Sequence, residues 1–251
     1  MKLSPNFYNE RICLNVLARD RQNAKEIFEE TEGHVVIGVL SKNYEQVDEA
    51  VEAMSLYGTD LDNAVSIGLG SGDPQQWKMV SDIAKKYKPQ HINQVFTGVG
   101  HTRSSVDNTE TFINCMVSPC GKPGYVNIST GPSSSMNASP AIVEIRSAIH
   151  LIKDMGGNSI KYFPMRGLET IEEYRQVVKA CAEEQMNIEP TGGIDLQNFK
   201  EIVSIPLAAG VIKIIPHVYS SIIDPTTGLT RIDDVRIFYS MIKELVQEYD
   251  N

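Results

Sequence analysis

Eight short apolar runs, each followed by a stretch of different periodicity, recur along this chain, and that alternation constrains the fold more than any other feature. The runs are "ICLNVLA" (12–18), "HVVIGVLS" (34–41), "AVSIGLG" (64–70), "HINQVFTGVG" (91–100), "YVNIST" (125–130), "SIKYFPM" (159–165), "NIEPTGGI" (187–194) and "VIKIIPHV" (211–218). Their length and β-branched content read as strands buried on both faces. Between them, apolar residues recur at helical spacing: Ala24, Ile27 and Phe28; Val47, Ala50, Val51 and Met54; Trp77, Val80, Ile83 and Ala84. Asp73 and Pro74 predict a helix start. Ser139-Pro140 predicts another, carrying Ile142, Ile145, Ile149 and Ile152 to a stop at Gly156-Gly157, and Thr170 with Glu173 reads as a capping box. A last amphipathic helix runs from about Asp233 through Val235, Phe238, Ile242 and Leu245.

Eight βα units in 251 residues match the count and length of a (β/α)8 TIM barrel of the α/β class. The rival is a doubly wound open sheet, but no GxGxxG follows the first strand. The segment from about 101 to 124 does not fit one helix and reads as an elaborated loop after strand four. No Pro/Gly/Ser-rich linker divides the chain, so a single barrel domain over 1–251 is expected.

A net charge of −9 without a Lys/Arg cluster argues against nucleic acid and anionic membranes as partners. The N-terminus, "MKLSPNFYNERICLNV", lacks the apolar core of a signal peptide, and no apolar run could span a bilayer, so the expected location is cytoplasmic. Four cysteines without CxxC spacing read as reduced thiols, and five histidines without HExxH spacing leave no metal or cofactor expected.

Against this background, Lys161 stands out. In a barrel, Lys161 and Phe163 would point inward and Ile160 and Tyr162 outward. Bringing a buried lysine from a pKa of roughly 10.4 to near 7 costs about 4 to 5 kcal/mol. A neutral amine at that cost can attack a carbonyl carbon and form a Schiff base. The competing account is an ion-paired or snorkelling lysine, which also suits Lys213 in "VIKIIPH". One βα unit later, Thr191-Gly192-Gly193 offers backbone N–H groups and a hydroxyl to an anion. Phosphates often sit at that end of barrels.

"IKYFP" and "EPTGGI" together resemble the KDPG/KHG aldolases, whose Schiff-base lysine lies in a K-F-F-P stretch followed by P-T-G-G-I. "ISTGPS" (128–133) resembles that group's strand-five ending and brings Ser129 into the expected binding set; "GLGSGDPQQ" (68–76) is similar to its strand-three turn. The whole chain is similar to the longer bacterial KDGP aldolases. The resemblance implies a class I aldolase that splits 2-dehydro-3-deoxy-6-phosphogluconate into pyruvate and glyceraldehyde 3-phosphate, with no cofactor. It also implies a homo-oligomer.

Two departures accompany it. The short aldolases carry E-V-T-x-R on strand two, where this chain has "VVIGVLSK", with Ile37 near the glutamate's place; a Gly-Ser turn after strand eight is replaced by "IIPHVYSS". Glu189, inward beside Lys161 by strand alternation, is the expected base. Arg19, His101 and Arg103 are expected at the barrel mouth as substrate contacts, with His217 and Ser220 in place of the missing turn. Three alternatives stay open. They are a 4-hydroxy-2-oxoglutarate aldolase, a phosphate-barrel isomerase or epimerase using Glu189, and a non-catalytic sugar-phosphate sensor.

Overall fold

The computed structural model describes residues 2–249. In chain order the elements are β1 (Leu14–Leu17), α1 (Arg21–Glu30), β2 (Val35–Leu40), α2 (Val47–Asp60), β3 (Val65–Gly68), α3 (Trp77–Lys86), β4 (His91–Val95) and α4 (Val99–Val106). There follow β5 (Phe112–Val117), β6 (Tyr125–Asn127), β7 (Ile142–Glu144), α5 (Ile145–Asp154), β8 (Ser159–Tyr162), α6 (Ile171–Glu183), β9 (Asn187–Pro190), α7 (Phe199–Ala208), β10 (His217–Val218) and α8 (Ile232–Tyr249).

Eight parallel strands pair in the order β10-β1-β2-β3-β4-β5-β8-β9. Bridges from Ile188 to Ile214 and from Thr191 to His217 join the two ends, so the sheet closes into the expected barrel. Outward residues such as Ile37, Ile67, Ile92, Ile160, Tyr162 and Ile188 pack in one core with the surrounding helices. Inside the barrel a separate small cluster of Phe7, Cys13, Val36, Phe112 and Ile215 plugs the N-terminal end. Above that plug the inward positions turn polar: Asn15, Ser66, His91, Asn114, Ser159 and Glu189 are all buried. Those inward polar residues make the site possible.

Four expectations are corrected. The fifth barrel strand is "FINCMV" (β5), buried at all six positions, and "YVN" instead forms an antiparallel hairpin with β7. The elaboration therefore follows strand five, not strand four. Both segments are short and rich in β-branched residues, and burial on both faces, which local pattern does not report, separates them. Consequently α5 begins at Ile145, capped by Glu144, whose carboxylate accepts from the Ser147 N–H; Ile142 lies exposed in the hairpin. Nor is there a capping box at α6. Thr170 donates to the Met165 carbonyl, and the Glu173 carboxylate accepts the Cys120 and Gly121 N–H groups, tying the excursion to the barrel. No helix among the described residues is long and apolar enough to cross a membrane.

Candidate active site

At the C-terminal end of the strands a cavity of about 280 Å³ opens, lined by Lys161, Asn93, Phe163, Thr191, Gly192, Gly193, His217, Tyr219 and Ser220, with Gly70, Ser71 and Gly72 across from them. Strand alternation puts Lys161 on its wall, 6% exposed, as expected from its face of β8. Its Nζ donates to Asn93 Oδ1 at 2.8 Å. Burial pushes its pKa down to about 8, and Glu189 opposes that fall without cancelling it. An amine at that pKa keeps a useful neutral fraction near pH 7.

Two loops supply backbone to the cavity. At Gly193 the backbone has φ +72°, and a Cβ there would stand 2.5 Å from the Gly167 nitrogen, so no other residue fits without moving the β8 loop. The Gly70-Ser71-Gly72 turn holds three consecutive positive φ values, +79°, +52° and +72°. Ser71 and Gly193 are exposed, so the two turns put backbone at the cavity wall from both sides. Ser220 adds a hydroxyl at the rim.

Glu189 does not line the cavity. It is fully buried beneath Lys161, and its oxygens accept from His91 Nε2 (3.1 Å to each), Asn114 Nδ2 (2.6 Å), His217 Nε2 (2.8 Å) and the Ser159 hydroxyl. Burial would raise its pKa, but the electrostatics of His91 and the hydrogen bonds from His217 and His91 outweigh burial. They hold the carboxyl well below the ordinary carboxylate range. Buried at 0% exposure and absent from the cavity wall, the carboxylate has no path to a ligand, which corrects the expectation that Glu189 itself meets substrate.

Hydrogen-bond accounting decides which nitrogen of each histidine carries a proton. The Ser66 oxygen receives amide N–H groups from Asn15 (3.1 Å) and Asn93 (3.0 Å), so its own proton points to His91 Nδ1 at 2.7 Å, leaving His91 Nε2–H for Glu189. His217 also gives Nε2–H to Glu189, and its Nδ1 lies 2.8 Å from the Tyr219 hydroxyl. Burial first, then the charge of Lys161, push His217 down to about 3 against the pull of Glu189, so its ring is neutral at pH 7. His91, Glu189 and His217 bring potential metal-ligand atoms within 4.8 Å of one another. With these tautomers each Nε2 presents N–H rather than a lone pair to the carboxylate, which suits a hydrogen-bonded cluster more than a metal.

Other expected contacts fall elsewhere. The Arg103 guanidinium is fastened at the opposite end of the barrel, to the carbonyls of Gly156 (2.9 Å), Asn108 (2.7 Å) and Thr111 (3.0 Å) and to Asn158 Oδ1. His101 lies exposed on α4 with its ring edge against Trp77, outside the cavity. Arg103 lies beyond the first turn of α4 and is drawn to the far end, whereas His101, within that turn, turns its ring to Trp77 and not to the cavity. Ser129 accepts the Ala141 N–H at 2.7 Å inside the hairpin excursion. Arg19 is exposed at the mouth but donates to the Thr227 carbonyl, beyond the cavity wall. Lys213, the internal comparison for Lys161, pairs with Glu10 at 3.4 Å at the far end of the barrel.

A direct consequence concerns Arg103. Replacing it with leucine strands several part-buried carbonyls and should cost about 3 kcal/mol in urea denaturation, while KM for any cavity ligand stays unchanged. A raised KM with intact stability would return Arg103 to the substrate.

Sequence reasoning missed Asn93, His91, Ser66, Asn114, Ser159, Asn15 and Tyr219. A usable signal existed for most of them: a polar residue at an inward position of an otherwise apolar strand, as in "HIN", "VSIG", "INCM" and "SIK". On β2 the inward residues are Val36, Gly38 and Leu40, and Ile37 faces the outer core, so that strand offers no inward acid.

Comparison with known proteins adds the following. A family model described as KDGP aldolase matches residues 8–226. The chain is 45% identical over 245 residues to the 2-dehydro-3-deoxy-phosphogluconate aldolase of Salmonella typhimurium (strain 14028s / SGSC 2262), covering 96% of this chain and 98% of that protein. Among solved structures, one described as native KDPGal superposes with a TM-score of 0.56 at 12% identity, covering 98% of this chain and all (100%) of that one. A mutant tryptophan synthase α-subunit of Pyrococcus furiosus superposes with a TM-score of 0.54 at 10% identity, covering 96% and 100%. At such identities the two structural likenesses speak for the barrel alone.

Proposed function

The chain belongs to the KDGP aldolase family, and from that premise we propose that it is a Schiff-base aldolase in which Lys161 cleaves 2-dehydro-3-deoxy-6-phosphogluconate to pyruvate and glyceraldehyde 3-phosphate. The observation that carries the reading is Lys161 itself. It is the one buried lysine among the described residues, on the wall of the cavity, with a pKa lowered to about 8. Neutral Nζ adds to the C2 ketone, and loss of water gives an iminium that withdraws electrons from the C3–C4 bond. The phosphate end is supported by Gly192, Gly193 and Ser220, where peptide N–H groups and a hydroxyl can meet an anion without a fixed cation, while Thr191 shapes the wall with its N–H and hydroxyl already given to the Tyr162 and Glu189 carbonyls.

The alternative substrate, 4-hydroxy-2-oxoglutarate, would bring a carboxylate to that same end, and the family relation favours the phosphorylated acid over it. With Glu189 sealed beneath the cavity, the isomerase reading loses its base. Incubation with pyruvate, borohydride reduction and peptide mapping tests the proposal: a label on Lys161 is expected. Label on Lys213, or none on folded protein, would refute it. Side-by-side turnover of the two keto acids then decides the substrate.

A further inference from the structure

An aldolase of this kind needs a group that takes the C4 hydroxyl proton as the C3–C4 bond breaks and returns one to C3 of the enamine. The cavity lining holds no carboxylate; besides Lys161, its titratable side chains are His217 and Tyr219. Both ring nitrogens of His217 are engaged, Nε2 with Glu189 at 2.8 Å and Nδ1 with the Tyr219 hydroxyl at 2.8 Å. Tyr219 lines the cavity, and its hydroxyl, with one proton to give to His217 or Asn15, keeps acceptor capacity of its own. Resting on the Schiff-base reading above, we propose that Tyr219 is the catalytic residue that exchanges protons with substrate, relaying them to His217 Nδ1, with Glu189 and Asn15 as positioning residues.

The geometry suits both states of such a relay. At rest, Tyr219 donates to the His217 Nδ1 lone pair. When His217 takes that proton, its new Nδ1–H donates back to the Tyr219 oxygen, and the proton arriving from substrate finds a second acceptor, Asn15 Oδ1, at 3.2 Å. Each transfer therefore exchanges one acceptor of the Tyr219 proton for the other, His217 Nδ1 at 2.8 Å and Asn15 Oδ1 at 3.2 Å. Asn15 is held for this task by its own bond to Ser66. The imidazolium faces Glu189 directly, so its charge is paired while it lasts.

In the cleavage step the C4 hydroxyl proton passes to the Tyr219 oxygen as the Tyr219 proton passes to His217 Nδ1. The C4 oxygen electrons form the aldehyde carbonyl, and the C3–C4 bond pair becomes the enamine, neutralising the iminium nitrogen. After the aldehyde leaves, the same path runs backwards and delivers one proton to C3. Water then releases pyruvate from Lys161. No oxidant, reductant or further reactant is consumed.

The test uses pyruvate alone, separating imine formation from proton transfer. Wild-type protein in D2O should exchange the pyruvate methyl protons, followed by NMR, and should trap pyruvate on Lys161 with borohydride. Tyr219→Phe should still trap at equilibrium, with methyl exchange and aldol cleavage slowed together by about 10²- to 10⁴-fold. Exchange within about threefold of wild type would overturn the relay. So would loss of trapping in folded protein, which would move Tyr219 to imine formation. If Tyr219→Phe does not fold, His217→Gln keeps the question open to decision: exchange must fall although the tyrosine hydroxyl remains, and undiminished exchange overturns the relay. Absence of trapping in the wild type is a different failure, that of the Schiff-base reading, and removes the relay with it.

Discussion

Lys161→Met is expected to abolish turnover and to stabilise the protein in the same experiment. Without the amine no iminium forms, and cleavage should fall by roughly 10⁴-fold or more. Stability moves the other way because the native lysine is held in a place that disfavours its charge. A pKa lowered from 10.5 to about 8 corresponds to about 3 kcal/mol of penalty at neutral pH. Between those two values the unfolded chain holds a proton that the folded chain has lost, so the penalty is complete below pH 8 and disappears as pH rises through 10.5. Losing the bond to Asn93 returns about 1 kcal/mol. The net gain is on the order of 2 kcal/mol, a Tm rise of roughly 4 to 8 °C for a chain of this length. Urea denaturation at pH 7 beside a cleavage assay reads both effects. A variant that is inactive and also destabilised would mean that Lys161 serves the fold, not the chemistry.

Glu189→Gln should be nearly as damaging to turnover, by a different route. The carboxylate accepts from His91, Asn114, Ser159 and His217, and an amide can accept on one side only. Its NH2 would face donors, and His217 could satisfy it only by turning its Nε2 lone pair toward it, moving the ring proton to Nδ1. That tautomer has no lone pair for the Tyr219 proton. Loss of turnover of about 10²- to 10⁴-fold is expected with the cavity intact. Stability should fall by about 3 kcal/mol, since donors gathered around a buried charge lose it. The pH dependence carries a sign of its own. The native carboxyl has its pKa lowered from 4.5, so its contribution is present above pH 4.5 and is lost as pH falls below that value. The stability gap between wild type and variant must therefore narrow on acidification below pH 4.5. A gap that is flat with pH would show that the charge of Glu189 is not what the variant removed.

Much of this protein is legible without its structure. Alternation of apolar runs with helical stretches specifies eight βα units, because strand and helix faces must each bury apolar surface and a barrel does so with every strand covered. Lys161 is legible because one charged residue inside an apolar strand conflicts with burial unless chemistry uses it, and Thr191-Gly192-Gly193 because a glycine pair frees backbone for a ligand. The fifth strand is not, since "FINCMV" and "YVNIST" look alike locally and only neighbouring strands distinguish them.

The βα alternation, the lysine inside an apolar strand and the glycine turn are thus readable from pattern, through periodicity and the cost of burying a charge. The partnership around that lysine is instead a product of folding. Asn15, Ser66, His91, Asn93, Asn114, Ser159, Glu189, His217 and Tyr219 come from seven different strands or their ends, and no spacing along the chain records that they meet. Closing the sheet places them in adjoining layers, where Glu189 is buried below the cavity and Tyr219 takes part in its lining. Helix α4 likewise carries Arg103 to the far end. Reach along a chain is a matter of covalent geometry, whereas which side chain still has a free lone pair depends on every neighbour that the fold has brought to it.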